Sequence, residues 1–126
     1  MINRISAQNF DAYKRQQYSK IYHHELAHKT AGGDLAGPIV IEKDKDGVPV
    51  AGHVNIKLPQ VDENNPDKTI KQANTVIDAA LAPSDPSSQD FKVASEAKDI
   101  KAKAERIITK NGCKDGTCGN MLNYWA

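Results

Sequence analysis

Aromatic residues make up only 6% of the 126 residues, and cysteine occurs just twice. The first shortage excludes a core built on bulky rings. The second excludes a disulfide scaffold, which needs more than one pair. No apolar run approaches the ~20 residues that span a bilayer. An excess of one charge is missing too: 17 basic residues face 16 acidic ones, for a formal net charge of +1. That balance argues against a nucleic-acid partner and against a polybasic membrane surface. The first ten residues, Met1 to Phe10, contain no apolar h-region. Their composition points to a cytoplasmic protein, or to one whose leader has been removed.

What remains is a chain of one domain's length with a small aliphatic core. A first block runs from about Asn9 to about Thr30 without Gly or Pro. On a helical wheel Phe10, Tyr13, Gln17, Ile21, His24 and His28 share one face, and Tyr18, Tyr22 and Leu26 form a second stripe. A helix apolar on two sides is expected to be substantially buried. Ala31-Gly32-Gly33 is its stop signal.

The second block, Leu35 to Leu58, reads as strand, turn and strand. Pro38-Ile39-Val40-Ile41-Glu42 is followed by Asp44-Lys45-Asp46-Gly47, then by apolar residues at Val48, Val50, Val54, Ile56 and Leu58. This is the pattern of a β-hairpin. Asp44, Asp46 and Gly47 hint at a calcium loop, but the twelve-residue EF-hand pattern is missing, and a turn is the better reading. Gly52, beside His53, interrupts the alternation and suggests a bulge or a close backbone approach.

Asp62-Glu63-Asn64-Asn65-Pro66 is a polar linker that ends in a helix cap and a proline suited to the first helical position. Ile70, Ala73, Ile77, Ala80 and Leu81 then form a helical stripe that ends before Pro83. Ser84-Asp85-Pro86 repeats the cap-plus-proline signal. A third helix follows to about Lys110, with Val93, Ala97, Ile100, Ala104 and Ile107 on one face. From Asn111 onward the chain is expected to be an irregular tail. It carries Cys113 and Cys118, which read as a small disulfide, a weak metal pair or plain thiols. The order α-β-β-α-α makes this a single α+β domain, with its core over about residues 9–110.

The chemistry concentrates in His24-Glu25-Leu26-Ala27-His28, an HExxH motif on the first helix. Residues four apart share a helix face, so both imidazoles can point at one metal ion. Glu25 can reach a water on that metal and act as general base. Zinc is the expected ion, because it lowers the pKa of water to about 7 in such sites. A catalytic zinc site needs a third protein ligand. His53, on or beside the second strand, is the first choice. Asp34 follows, six residues after His28, at the spacing of the long HExxHxxGxxH motif, although position 31 is Ala where that motif has Gly. Asp90 comes last, because a carboxylate in a helix's first turn is also explained by the helix dipole. His23 points off the ligand face and reads as a seam or surface histidine.

His24-Glu25-Leu26-Ala27-His28-Lys29 followed by Gly32-Gly33-Asp34-Leu35-Ala36-Gly37 resembles the signature of the SprA-related family of bacterial metalloproteases. Asp46-Gly47 and Val50-Ala51-Gly52 are similar to its hairpin, Pro66 to Ile70 and Ala79 to Pro83 to its second helix, and Pro86 to Asp90 with Val93-Ala94 to the start of its last helix. The family's hairpin often carries Glu where this chain has His53, and both side chains can ligate zinc. The resemblance gives Asp90 more weight than a dipole reading does. It implies a zincin-like metallopeptidase that acts on a peptide or protein substrate. The alternative is a non-catalytic module, either metal-stabilised or a metal-free helical protein-interaction domain.

Overall fold

The computed structural model describes residues 2–114, and side-chain environments over 9–111. It contains helix α1 (Ile2–Gly32), a short 3-10 turn (Gly33–Leu35), strands β1 (Ala36–Lys43) and β2 (Pro49–Ile56), and helices α2 (Pro66–Ala80) and α3 (Ser88–Lys114). The order is α-β-β-α-α, the expected α+β arrangement. Among the described residues no helix is long and apolar enough to cross a membrane.

The 31 residues of α1 span about 45 Å at 1.5 Å per residue. The helix starts seven residues earlier than the Gly- and Pro-free block expected from Asn9. It ends where Gly33 turns to φ 54, a left-handed conformation that costs a glycine little. Only its C-terminal part is well buried. Phe10, Tyr13 and Tyr18 are 40%, 48% and 44% exposed, which corrects the expectation of burial on two sides. The reason is geometric: the hairpin and α2 meet α1 along one side, at Lys14, Ile21, Glu25 and Gly32, and sequence periodicity does not show how many sides of a helix find a partner. The exposed rings are partly covered within their own helix. Tyr18 stacks on Tyr22 with centroids 5.9 Å apart, and the Lys14 ammonium sits 4.5 Å over Phe10.

Strands β1 and β2 form an antiparallel hairpin in which Val40 faces His53 and Ile41 faces Gly52. The turn is closed by Asp44, whose carboxylate accepts from the backbone N–H groups of Asp46 and Val48 at 2.9 Å each. That use of Asp44 accounts for the Asp-rich sequence as a turn. Along β2 the less exposed positions are Gly52, Val54 and Ile56, while Ala51, His53 and Asn55 are exposed. The hairpin therefore turns one face towards α1, made of the even-numbered residues of β2 and, by the pairing register, Ile39 and Ile41 of β1, and the other face outward.

Asn65 caps α2, accepting from the Lys68 N–H at 3.2 Å, and Pro66 takes the first helical position as expected. Helix α3 is capped by Ser87 rather than by the Ser84-Asp85-Pro86 segment. Ser87 Oγ accepts from the Asp90 N–H at 3.1 Å, and Asp90 Oδ2 accepts from the Ser87 N–H at 2.8 Å. This reciprocal pair is a capping box, and it starts the helix after Pro86. At its other end α3 runs through Asn111-Gly112 to Lys114, so residues 111–114 are helical, not irregular. A mid-helix glycine costs only about 1 kcal/mol relative to Ala. The side chain of Cys113, and Cys118 with it, lie outside the described residues.

Helices α2 and α3 make the most extensive contact in the molecule. Their seam is built of small side chains: Ala73, Val76, Ala79 and Ala80 on α2, and Ala94, Ala97 and Ala104 on α3, all buried. Ile70, Ile77, Ile100 and Ile107, expected at the centre, flank that seam half-buried. Small residues let two helices approach closely, and the larger ones then fill the edges.

Candidate metal centre

Helix α1 crosses the end of α2 and the first turn of α3, and His24, Glu25 and His28 lie at that crossing. Glu25 is 6% exposed and His28 3% exposed, the two buried ionisable side chains among the described residues. One ligand atom from each of His24, Glu25 and His28 lies within 4.8 Å of the others, a grouping able to hold a metal ion. The two Nε2 atoms are 3.3 Å apart.

The outer nitrogens are already engaged. His28 Nδ1 stands 2.7 Å from the Ala79 carbonyl oxygen. A carbonyl only accepts, so His28 carries its proton on Nδ1 and presents a lone pair at Nε2. His24 Nδ1 stands 3.2 Å from Asp85 Oδ1, an oxygen that can accept the same Nδ1–H from that ring. Asp90 then closes the third side, with Oδ1 at 3.2 Å from His28 Nε2 and Oδ2 at 3.4 Å from His24 Nε2. With both rings protonated at Nδ1, two imidazole lone pairs and a carboxylate converge with no proton of their own between them. Such a set of acceptors is satisfied by a shared cation or by added protons, and its composition, two His and one carboxylate, suits zinc with a position left open.

The capping box explains why Asp90 is aimed so well. Its Oδ2 is pinned to the Ser87 N–H, so the first turn of α3 fixes the carboxylate against the two rings. The dipole reading and the ligand reading of Asp90 are therefore compatible.

The other two candidates lie elsewhere. His53 is on the outward face of β2, and its Nδ1 is 3.7 Å from Glu42 Oε1. It lines the same cleft but is not brought against the imidazole pair. Asp34 is exposed on the 3-10 turn beyond the end of α1. The geometry thus moves Asp90, last in the sequence-based order, to the front, with His53 next on the shared cleft and Asp34 outside it. His23, as expected, faces away, with its Nδ1 2.6 Å from the Ser19 carbonyl oxygen.

Gly52 marks the closest approach of β2 to α1. A Cβ there would come within 2.5 Å of Ile21 Cγ2 and 2.9 Å of Glu25 Cγ. The sequence-based choice between a bulge and a close approach is settled as a close approach. Strand β2 lies on the Glu25 side chain, and the resulting desolvation is the main cause of a Glu25 pKa raised above the usual carboxylate value. Asp90 adds to that rise, whereas His28, His24 and His53 oppose it.

Two clefts flank this crossing. One of about 540 Å³ is bordered by His28, His53, Ile56 and Asp90. The other, of about 770 Å³, is bordered by Gln17, Lys20, Val50 and Asp85. His24, Glu25 and Gly52 border both.

Sequence reasoning missed Asp85 and the Ala79 carbonyl. Asp85 was read only as part of a cap signal. Its distance from the motif, 61 positions along the chain, leaves no local pattern to find, and a backbone carbonyl has no sequence signal at all.

The chain matches the sequence profile of the SprA-related family over residues 3–110. It belongs to the SprA-related family. The match takes in both strands and α2 and most of α1 and α3 of this SprA-related fold, with residues 24–28 and Asp90 inside it. No curated protein matches the chain, and neither does any solved structure.

Proposed function

We propose that this SprA-related protein is a zinc-dependent hydrolase, a small metallopeptidase acting on extended polypeptide. The observation that carries the reading is the convergence of His24 Nε2, His28 Nε2 and the Asp90 carboxylate, with both Nδ1 atoms already spoken for. In this reading these three residues hold the ion. Zinc, when bound, supplies a Lewis acid that polarises a carbonyl and acidifies water. Glu25 accepts the proton from the attacking water and passes it to the leaving amine. Its burial under Gly52 raises its proton affinity, which suits a base working near neutral pH.

The clefts support a polymeric substrate. They lie on both sides of Glu25 and follow β2 from Val50 to Ile56. Strand β2 has β1 on one edge and no described strand on the other. An extended peptide can pair with such an edge through main-chain hydrogen bonds.

The test is to load the protein with zinc and incubate it with denatured casein and a library of unstructured peptides. Wild type is expected to cleave. Glu25→Gln is expected to keep its zinc and lose at least about 100-fold in rate, the effect of removing a general base. Full activity in Glu25→Gln would refute the mechanism. A zinc-loaded wild type that leaves every peptide intact would replace the peptidase with a metal-stabilised module.

A further inference from the structure

The two imidazoles of the metal centre are held by unlike means. His28 is fixed by a buried backbone carbonyl at the end of α2, Ala79. His24 is fixed by the side chain of Asp85, which is 76% exposed and lies in the connection between α2 and α3. Backbone hydrogen bonds hold the two ends of that connection. Leu81 and Ala82 donate to Ile77 and Ala79, and Phe91 donates to Ser87. Among the described residues, the Asp85–His24 contact is the side-chain hydrogen bond that ties the middle of the loop to α1.

We propose that Asp85 is the positioning residue for His24, and that through His24 it sets the metal affinity of the site. The inference rests on the metal-centre reading above. The His24 ring is sandwiched between two carboxylates, with Asp85 3.2 Å from Nδ1 and Asp90 3.4 Å from Nε2. A neutral imidazole has one N–H to give. With Asp85 in place the proton stays on Nδ1, and the Nε2 lone pair faces the ion. Without Asp85 the ring can move its proton to Nε2 and donate it to Asp90. That hydrogen bond occupies both ligand atoms at once and competes with the metal. Outer partners of this kind are typically worth about 10–100-fold in metal affinity, and the exposure of Asp85 places it near the low end of that range.

Two readouts test this on the folded full-length protein. The first needs no metal: long-range 15N–1H NMR correlations report the tautomer of His24. Wild type is expected to show the Nδ1–H form. Asp85→Asn should keep it, since the amide oxygen still accepts, and Asp85→Ala should lose it. The second readout is zinc affinity by competition with a chromogenic chelator, together with the absorption spectrum of the cobalt-substituted protein. Asp85→Ala is expected to bind zinc about 10-fold more weakly, with an altered cobalt spectrum, and Asp85→Asn to recover part of the loss. Asp99→Ala, the same charge change on the exposed face of α3, is expected to match wild type in both. An Nε2–H tautomer in wild-type His24 would overturn the proposal, as would Asp85→Ala with wild-type tautomer and zinc affinity. A wild type that binds no zinc but shows the Asp85-dependent tautomer would remove the metal reading and the affinity claim, leaving Asp85 as the orienting group of His24 alone.

Discussion

Two helix contacts in this molecule are built on opposite chemistry. Along the α2–α3 seam the buried groups are alanines and a valine, so close approach is bought with small side chains, and the one buried polar side chain of α2, Thr69, is satisfied by the backbone of Gln60 and Asp62. Where α1 meets β2 and the first turn of α3, the buried groups are Glu25 and His28. Close approach there depends on Gly52, and every imidazole nitrogen faces a specific oxygen or the other ring. The seam can be exchanged for other well-packed apolar contacts. The crossing cannot, because its buried polar side chains each depend on a particular partner. The difference teaches that α2 and α3 form the stable floor and that they present Ala79, Asp85 and Asp90 to a helix that brings the motif.

A pair of substitutions separates the two regions. Ala97→Leu overpacks the seam, and Gly52→Ala overpacks the crossing. Each is expected to destabilise by about 1–3 kcal/mol, read as a shift in the urea midpoint. Only Gly52→Ala should also disturb Glu25 and, under the proposed function, lower activity beyond what the loss of folded protein explains. Equal losses of specific activity in the two variants would erase the distinction.

A smaller effect sharpens it further. In the metal-free protein Glu25 has a raised pKa, chiefly from desolvation. The folded state therefore holds that proton more tightly than the unfolded chain. The associated stability is fully present below the unfolded value, near 4.5, and is lost as pH rises through the folded value. Glu25→Gln removes this penalty. The metal-free variant is expected to melt above wild type at neutral pH, with the gap closing as pH falls through the carboxylate range. A gap independent of pH would mean that the cost of Glu25 is one of shape, not charge.

Much of this was legible in the chain. The turn chemistry of Asp46-Gly47, the cap at Asn65-Pro66 and the spacing of His24 and His28 are local signals, and each sits where the sequence placed it. Gly52 was flagged because a glycine breaks a strand's alternation for a reason, and the reason proved to be α1. Burial on two sides of α1 does not follow from the wheel, because periodicity shows which faces are apolar, not how many of them find a partner. Asp90 ranks low in the sequence because its first-turn position already has an ordinary explanation. Its meeting with His28 depends on the crossing of two helices, which no spacing encodes. His53 ranks high in the sequence as a histidine on a nearby strand, yet strand alternation turns it outward beside Glu42.

The central claim is that His24, His28 and Asp90 form one metal centre. The direct measurement is elemental mass spectrometry on untagged protein after zinc loading and removal of excess metal. Wild type should carry about one zinc per chain, a load that deprotonated protein ligands hold in the folded state. His24→Ala/His28→Ala should carry none, Asp90→Ala should lose most of it, and His53→Ala should keep it. A wild type without zinc, or a His53→Ala variant that loses the metal while Asp90→Ala retains it, would contradict the account.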